Sequence, residues 1–72
     1  MVFEKVKQII CEEFEIDESE VSLDANLEMD LGLDELDLAD LCMSLEDAFD
    51  KEISDEDLES IRTVGDFVSH LE

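Results

Sequence analysis

Apolar side chains recur at helical spacing in three stretches of this chain, and this periodicity constrains the fold more than any other feature. In residues 2–14 the apolar positions fall on one helical face: Val2, Phe3, Val6, Ile9, Ile10 and Phe14. A second helix is predicted over residues 35–49. Asp34 is a suitable N-cap for it, and Asp37, three residues later, resembles a weak capping box.

Two further helices are predicted in the last third of the chain. A short one begins at Ser54, which has Asp57 three residues on, and ends near Ser60. The fourth begins at Thr63, and its apolar stripe consists of Ile61, Val64, Phe67, Val68 and Leu71. Three longer helices and one short helix predict an all-α fold, a small four-helix bundle.

Residues 21–33 alternate between apolar and other residues, which is the period of a strand. The alternating positions are Val21, Leu23, Ala25, Leu27, Met29, Leu31 and Leu33. No second segment of the chain alternates in this way to pair with it, and Leu, Met and Ala are not typical strand residues. We therefore interpret the segment as a long ordered loop between helices 1 and 2 that lays alternate side chains onto the helices.

The chain has 72 residues, so residues 1–72 are expected to form one domain. Lys and Arg number 4 against 24 Asp and Glu, which gives a net charge of −20. So few cations exclude most nucleic-acid roles and predict basic partners. No apolar run is long enough to span a membrane, and residues 1–5 do not resemble a signal peptide, so we expect a cytoplasmic monomer.

The predicted second helix has two different faces at about 100° per residue. Its buried flank is predicted to contain Leu38, Leu41, Cys42, Leu45, Ala48 and Phe49. Leu36 and Met43 lie two turns apart on the opposite side, with Ala39 beside them. Acids surround them: Asp37, Asp40, Glu46, Asp47 and Asp50. This pattern favours a partner-binding strip. The alternative is a solvated acidic face with two exposed apolar residues.

The run Asp30-Leu31-Gly32-Leu33-Asp34-Glu35-Leu36-Asp37, with the segment from Leu41 to Asp50, resembles the acyl carrier protein family. The resemblance spans nearly the whole chain. It implies a non-enzymatic carrier that holds growing acyl chains as 4′-phosphopantetheine thioesters for fatty acid biosynthesis. It also implies docking on basic patches of fatty acid or polyketide synthase enzymes and of phosphopantetheinyl transferase. By position, the implied contact residues are Leu36, Asp37, Ala39, Asp40, Met43, Glu46 and Asp47.

The chain departs from the family at one position. The family has Asp-Ser-Leu where this sequence has Asp34-Glu35-Leu36, and the serine hydroxyl is the attachment point of the prosthetic group. Glu35 has no alcohol oxygen, so we expect the chain to remain in the apo form. The carboxylate instead places negative charge near the start of the helix, where the helix dipole favours it. A non-modifiable interaction or regulatory homologue is the alternative function.

The sequence also suggests further binding sites. An acyl chain is hypothesised to enter the core between Leu41, Leu45, Phe49, Ile53 and Ile61. A calcium loop is suggested by the spacing of Asp24, Asn26, Glu28, Asp30, Gly32 and Glu35, although Met29 stands where such a loop needs glycine. Weak divalent cation binding by clusters of acids is favoured over a selective calcium site. Examples of such clusters are Asp30, Asp34 and Asp37, or Glu46, Asp47 and Asp50. Cys11 and Cys42 are expected to be reduced thiols, and His70 to have no catalytic partner.

Overall fold

Four α-helices follow one another in the chain, as the computed structural model of all 72 residues shows. They are α1 (Val2–Phe14), α2 (Glu35–Phe49), α3 (Asp55–Ser60) and α4 (Val64–Leu71). The predicted all-α bundle of three longer helices and one short helix is confirmed. No helix combines the length and the apolar character that crossing a bilayer requires.

Side-chain caps fix where three of the helices begin. Asp34 Oδ1 accepts a hydrogen bond from the backbone N–H of Asp37 at 2.8 Å, and Asp37 Oδ2 accepts one from the N–H of Asp34 at 3.3 Å. Thr63 and Asp66 form the same reciprocal box at α4, and Ser54 caps α3. These bonds satisfy N–H groups that have no partner inside the helix, so the local sequence alone sets these boundaries.

The C-terminal ends of α1 and α2 are unusual because neither uses glycine. Glu15 follows α1 at φ 55° and Asp50 follows α2 at φ 53°, both in the left-handed region. A side chain with a Cβ costs roughly 1–2 kcal/mol in that conformation. The two turns are therefore held by their surroundings rather than by local preference.

The core consists entirely of apolar side chains, and α1 packs against both α2 and α4 within it. Its 15 buried residues are Val6, Ile10, Val21, Ala25, Leu27, Leu33, Leu41, Cys42, Leu45, Ile53, Ile61, Val64, Phe67, Val68 and Leu71. A core this small in a chain of 72 residues gives limited stability, so single core contacts matter.

The segment between α1 and α2 is an ordered loop, as predicted, and forms no strand. An isolated antiparallel β-bridge between Asn26 and Thr63 joins it to the start of α4. Its backbone bonds run from Leu27 N–H to Arg62 O at 2.9 Å and from Val64 N–H to Ala25 O at 3.1 Å. A short 3-10 turn at Glu18–Glu20, capped by Asp17, was not predicted.

The predicted alternation in this loop is only partly correct. Val21, Ala25, Leu27 and Leu33 are buried, but Leu23 is 48% exposed and Met29 is 86% exposed. The alternation fails where the chain coils tightly. Asn26 Oδ1 accepts hydrogen bonds from the N–H groups of residues 28 and 29, and Gly32 has φ +70°. Met29 is consequently carried to the outside of the turn.

The buried flank of α2 is narrower than predicted. Leu41, Cys42 and Leu45 are buried, but Leu38 and Phe49 are only half-buried and Ala48 is exposed. Ala48 faces an open groove between α1 and α2 because these two helices do not close over it. The prediction that Ala48 is buried was therefore wrong.

Candidate functional site

Glu35 is the first residue of α2 and is exposed. The preceding loop places it there. Leu33 is buried and donates its backbone N–H to Leu27 O at 3.0 Å, and Asp34 then caps the helix. The carboxylate of Glu35 thus lies in the first turn, where the unpaired N–H groups and the helix dipole favour an anion by roughly 0.3–1 kcal/mol.

Two large apolar side chains stand on the outer face of α2. Leu36 is 77% exposed and Met43 is 66% exposed, while Leu41 and Leu45 on the opposite face are fully buried. Ala39, between the two, is also exposed. We call Leu36, Ala39 and Met43 the α2 ridge. Aligned exposed apolar side chains of this kind, surrounded by charge, are typical of a contact surface.

The acids around the α2 ridge are not equivalent. Asp40 and Asp47 are exposed, but Asp37 and Glu46 are half-buried and already accept backbone hydrogen bonds. Asp37 accepts from the N–H of Asp34, and Glu46 Oε2 accepts from the N–H of Ile53 at 2.6 Å. The sequence did not reveal the second bond, since it joins α2 to the loop that follows it.

An open cleft separates the C-terminal half of α2 from the start of α3. Met43 and Ile53 are its only hydrophobic lining residues, and Lys51 is its only basic residue. The remaining lining residues are polar or acidic: Ser44, Glu46, Asp47, Asp50, Glu52, Ser54, Asp55 and Asp57. The cleft therefore carries strong negative charge.

The residues hypothesised to shelter an acyl chain lie mostly in the core. Leu41 and Leu45 are fully buried, and Ile53 and Ile61 are nearly so. Of the five residues, only Ile53 lines the cleft between α2 and α3. The hypothesis stays a prediction, and it would require these side chains to move apart.

The ligands of the suggested calcium loop do not converge. No group of three or more His, Cys, Asp or Glu residues is placed to hold a metal ion. Asn26 Oδ1 is occupied by two backbone N–H groups, and Asp30 Oδ2 accepts the N–H of Asn26 at 2.7 Å. These side chains stabilise the turn around Met29, so the same polar residues have a structural role.

The two thiols are poorly suited to nucleophilic chemistry. Burial, reinforced by the negative charge of Glu46, raises the pKa of the Cys42 thiol to about 11. Burial and the nearby Glu18 likewise raise the pKa of Cys11. Both side chains stay protonated at neutral pH, and a protonated thiol is a weak nucleophile. His70 Nε2 lies 3.9 Å from Asp57 Oδ1, and His70 Nδ1 lies 2.9 Å from the backbone carbonyl oxygen of Asp66, so the imidazole contacts no thiol or hydroxyl group.

A helical bundle whose second helix begins at a capped, exposed position matches a known class of domain. The family model described as "Phosphopantetheine attachment site" matches residues 4–71. Proteins of this class carry 4′-phosphopantetheine. The chain is therefore a phosphopantetheine-type carrier domain by fold and by sequence.

Individual relatives narrow the class. The acyl carrier protein of Thermotoga maritima is 52% identical over 71 residues, which are 99% of this chain and 88% of that protein. A solved structure of a candidate acyl carrier protein from Mycobacterium tuberculosis superposes with a TM-score of 0.89 at 35% identity, covering 96% of this chain and 92% of that one. The acyl carrier protein of Enterococcus faecalis gives 0.81 at 40% identity, over 97% and 89%. This chain belongs to the acyl carrier protein family, whose members are carriers that work with synthases and transferases.

The side chain at position 35 does not fit covalent attachment of the group that this family carries. Attachment needs an alcohol oxygen, and Glu35 offers only a carboxylate. None of the serines lies at the start of α2: they are Ser19, Ser22, Ser44, Ser54, Ser60 and Ser69. Of these, Ser44 lies in the middle of α2 and donates its hydroxyl to Glu13.

Proposed function

We propose that this protein serves fatty acid biosynthesis as an acyl carrier protein that binds the enzymes of the pathway without being loaded. Membership of the carrier family supports the pathway. The placement of Glu35 at the first position of α2, where the family has its serine, carries the proposal that the chain remains in the apo form. It would act as a single domain over residues 1–72, as a monomer in the cytoplasm.

The fold supports this proposal because Glu35 does not disturb the start of the helix. Asp34 and Asp37 form both bonds of the capping box, and Leu33 remains buried beneath them. The carboxylate occupies a position where an anion is favourable. Leu36 and Met43, proposed to contact partners, are exposed although the hydroxyl is absent. This combination is what a non-modifiable interaction or regulatory homologue requires.

The α2 ridge is the surface proposed to contact partner enzymes. Leu36 and Met43 offer apolar anchors, and the acids that the family resemblance implies would face basic patches: Asp37, Asp40, Glu46 and Asp47. Opposite charges accelerate the encounter of the two proteins. The apolar anchors, which become buried on binding, contribute most of the affinity. The family resemblance implies basic patches on fatty acid or polyketide synthase enzymes and on phosphopantetheinyl transferase, so we propose these enzymes as the partners.

Intact-mass analysis after incubation with coenzyme A and a phosphopantetheinyl transferase tests the apo state. We expect no mass gain for this chain and a gain for Glu35→Ser, which restores the hydroxyl at the same position. Glu35→Ala is the matched control, because it removes the carboxylate without adding a hydroxyl, and it should also stay unmodified. A mass gain in the unaltered chain would refute the proposed apo state, and an unmodified Glu35→Ser variant would refute the carrier site.

A further inference from the structure

A second concave surface lies on the other side of the α2 ridge, between α2 and the C-terminal half of α1. It consists of two adjoining hollows that share Glu13 and Ser44. The Ser44 hydroxyl donates a hydrogen bond to Glu13 Oε1 and so links the two helices at the residues that both hollows share. We call this surface the α1–α2 groove.

Each hollow has two hydrophobic lining residues among its polar and acidic ones. Ile9 and Ala48 line one hollow, and Phe14 and Met43 line the other. Met43 also belongs to the α2 ridge, so the groove continues directly from the surface that the proposed function assigns to partner enzymes. Ala48 is exposed although the helical pattern predicts its burial, which means that the groove leaves apolar area uncovered.

Acids border the groove on both sides. Glu12 comes from α1, and Asp40 and Asp47 come from α2. Neither hollow is lined by any of the four basic residues of the chain. No basic side chain of this chain neutralises the acids of the groove, so a molecule that binds there is expected to be positively charged.

We propose that the α1–α2 groove receives a basic amphipathic helix of a partner protein. Its apolar side chains would fill the hollows over Ile9 and Met43, and its Lys or Arg side chains would pair with Glu12 and Asp47. The inference rests on the proposed function, since it extends the docking surface from the α2 ridge onto α1. A second copy of this chain would bring another net charge of −20 and would be repelled, as would an anionic membrane.

A pair of matched charge reversals tests the groove. The probe is a synthetic helical peptide with a leucine face flanked by Lys and Arg, and its Kd is measured by titration at low salt. Glu12→Lys and Glu59→Lys change the net charge equally, and both acids are exposed in the last turn of a helix. Only Glu12 lines the groove. We expect Glu12→Lys to raise the Kd about fivefold or more and Glu59→Lys to raise it less than twofold.

Backbone amide shifts in the nuclear magnetic resonance spectrum locate the peptide. We expect the largest changes at Ile9, Glu12 and Ala48. Equal weakening by both reversals would mean non-specific attraction to an acidic surface, and shifts confined to the cleft between α2 and α3 would place the peptide elsewhere; either result overturns the inference. The proposed apo state is judged separately by the mass of the Glu35→Ser variant, so the two can fail independently.

Discussion

Glu46 and Ile53 are joined by a hydrogen bond of 2.6 Å from the backbone N–H of Ile53 to the carboxylate of Glu46. The bond ties the C-terminal half of α2 to the loop before α3. The family resemblance implies that Glu46 lies on the partner-binding face, but in the structure its carboxylate also accepts a hydrogen bond that stabilises the fold. The side chain is therefore less free than Asp40 or Asp47 to pair with a partner.

Glu46→Ala should destabilise the fold by about 1–3 kcal/mol, because the half-buried N–H of Ile53 would lose its acceptor. Glu46→Gln keeps an oxygen in place and should cost less. Urea unfolding followed by circular dichroism measures both. Asp47→Ala is the control, since Asp47 is exposed and accepts no hydrogen bond, and it should lie within about 0.5 kcal/mol of the unaltered protein. Equal losses in the two alanine variants would contradict the structural role of Glu46.

Removal of the α2 ridge should weaken binding and spare stability. Leu36→Ala and Met43→Ala are each expected to raise the Kd for a partner enzyme by about tenfold, since each removes an apolar anchor worth roughly 1–2 kcal/mol. Surface plasmon resonance with a phosphopantetheinyl transferase or a basic synthase enzyme measures the change. Met29→Ala is the matched control, because Met29 is 86% exposed but lies in the loop rather than on α2. If Met29→Ala weakens binding as much, the ridge is not the contact surface.

Gly65→Ala should destabilise the protein although alanine favours a helix. Gly65 lies in the first turn of α4, and a Cβ there would meet the carbonyl oxygen of Leu23 at 2.9 Å. The backbone N–H of Gly65 also donates a hydrogen bond to the carbonyl oxygen of Leu23 at 2.9 Å. The two backbone segments therefore cannot move apart to make room for a Cβ without losing this bond. We expect a net loss of about 1–3 kcal/mol in urea unfolding. Ser69→Ala, at an exposed position of the same helix, should be neutral or slightly stabilising.

Asp66 should contribute a pH-dependent part of stability. Backbone N–H groups of Arg62 and Thr63 hydrogen-bond its carboxylate, and they lower the pKa of Asp66 below 3.8. A lowered folded-state pKa gives stability that is present above the unfolded pKa and lost as pH falls through the folded pKa. The difference in unfolding free energy between the unaltered protein and Asp66→Asn should therefore narrow below pH 3.8. A difference that stays constant with pH would contradict this role.

The sequence predicts those features of the fold that depend on residues close together in the chain. The pairs Asp34 with Asp37 and Thr63 with Asp66 cap helices through bonds between residues three apart, so the sequence reveals them. The exposure of Leu36 and Met43 also follows from spacing alone. In contrast, the Glu46–Ile53 bond and the exposure of Ala48 depend on how separate helices meet. No local pattern encodes that geometry, because it is set by the packing of the whole core.

The left-handed residues that end α1 and α2 have a practical consequence. Glu15 and Asp50 both bear a Cβ where glycine would be at ease. These two surface turns therefore lower the free energy of unfolding, whereas the fully apolar core does not. Glu15 lies outside both the α2 ridge and the α1–α2 groove. Replacing it with glycine should therefore raise the melting temperature without altering either proposed contact surface.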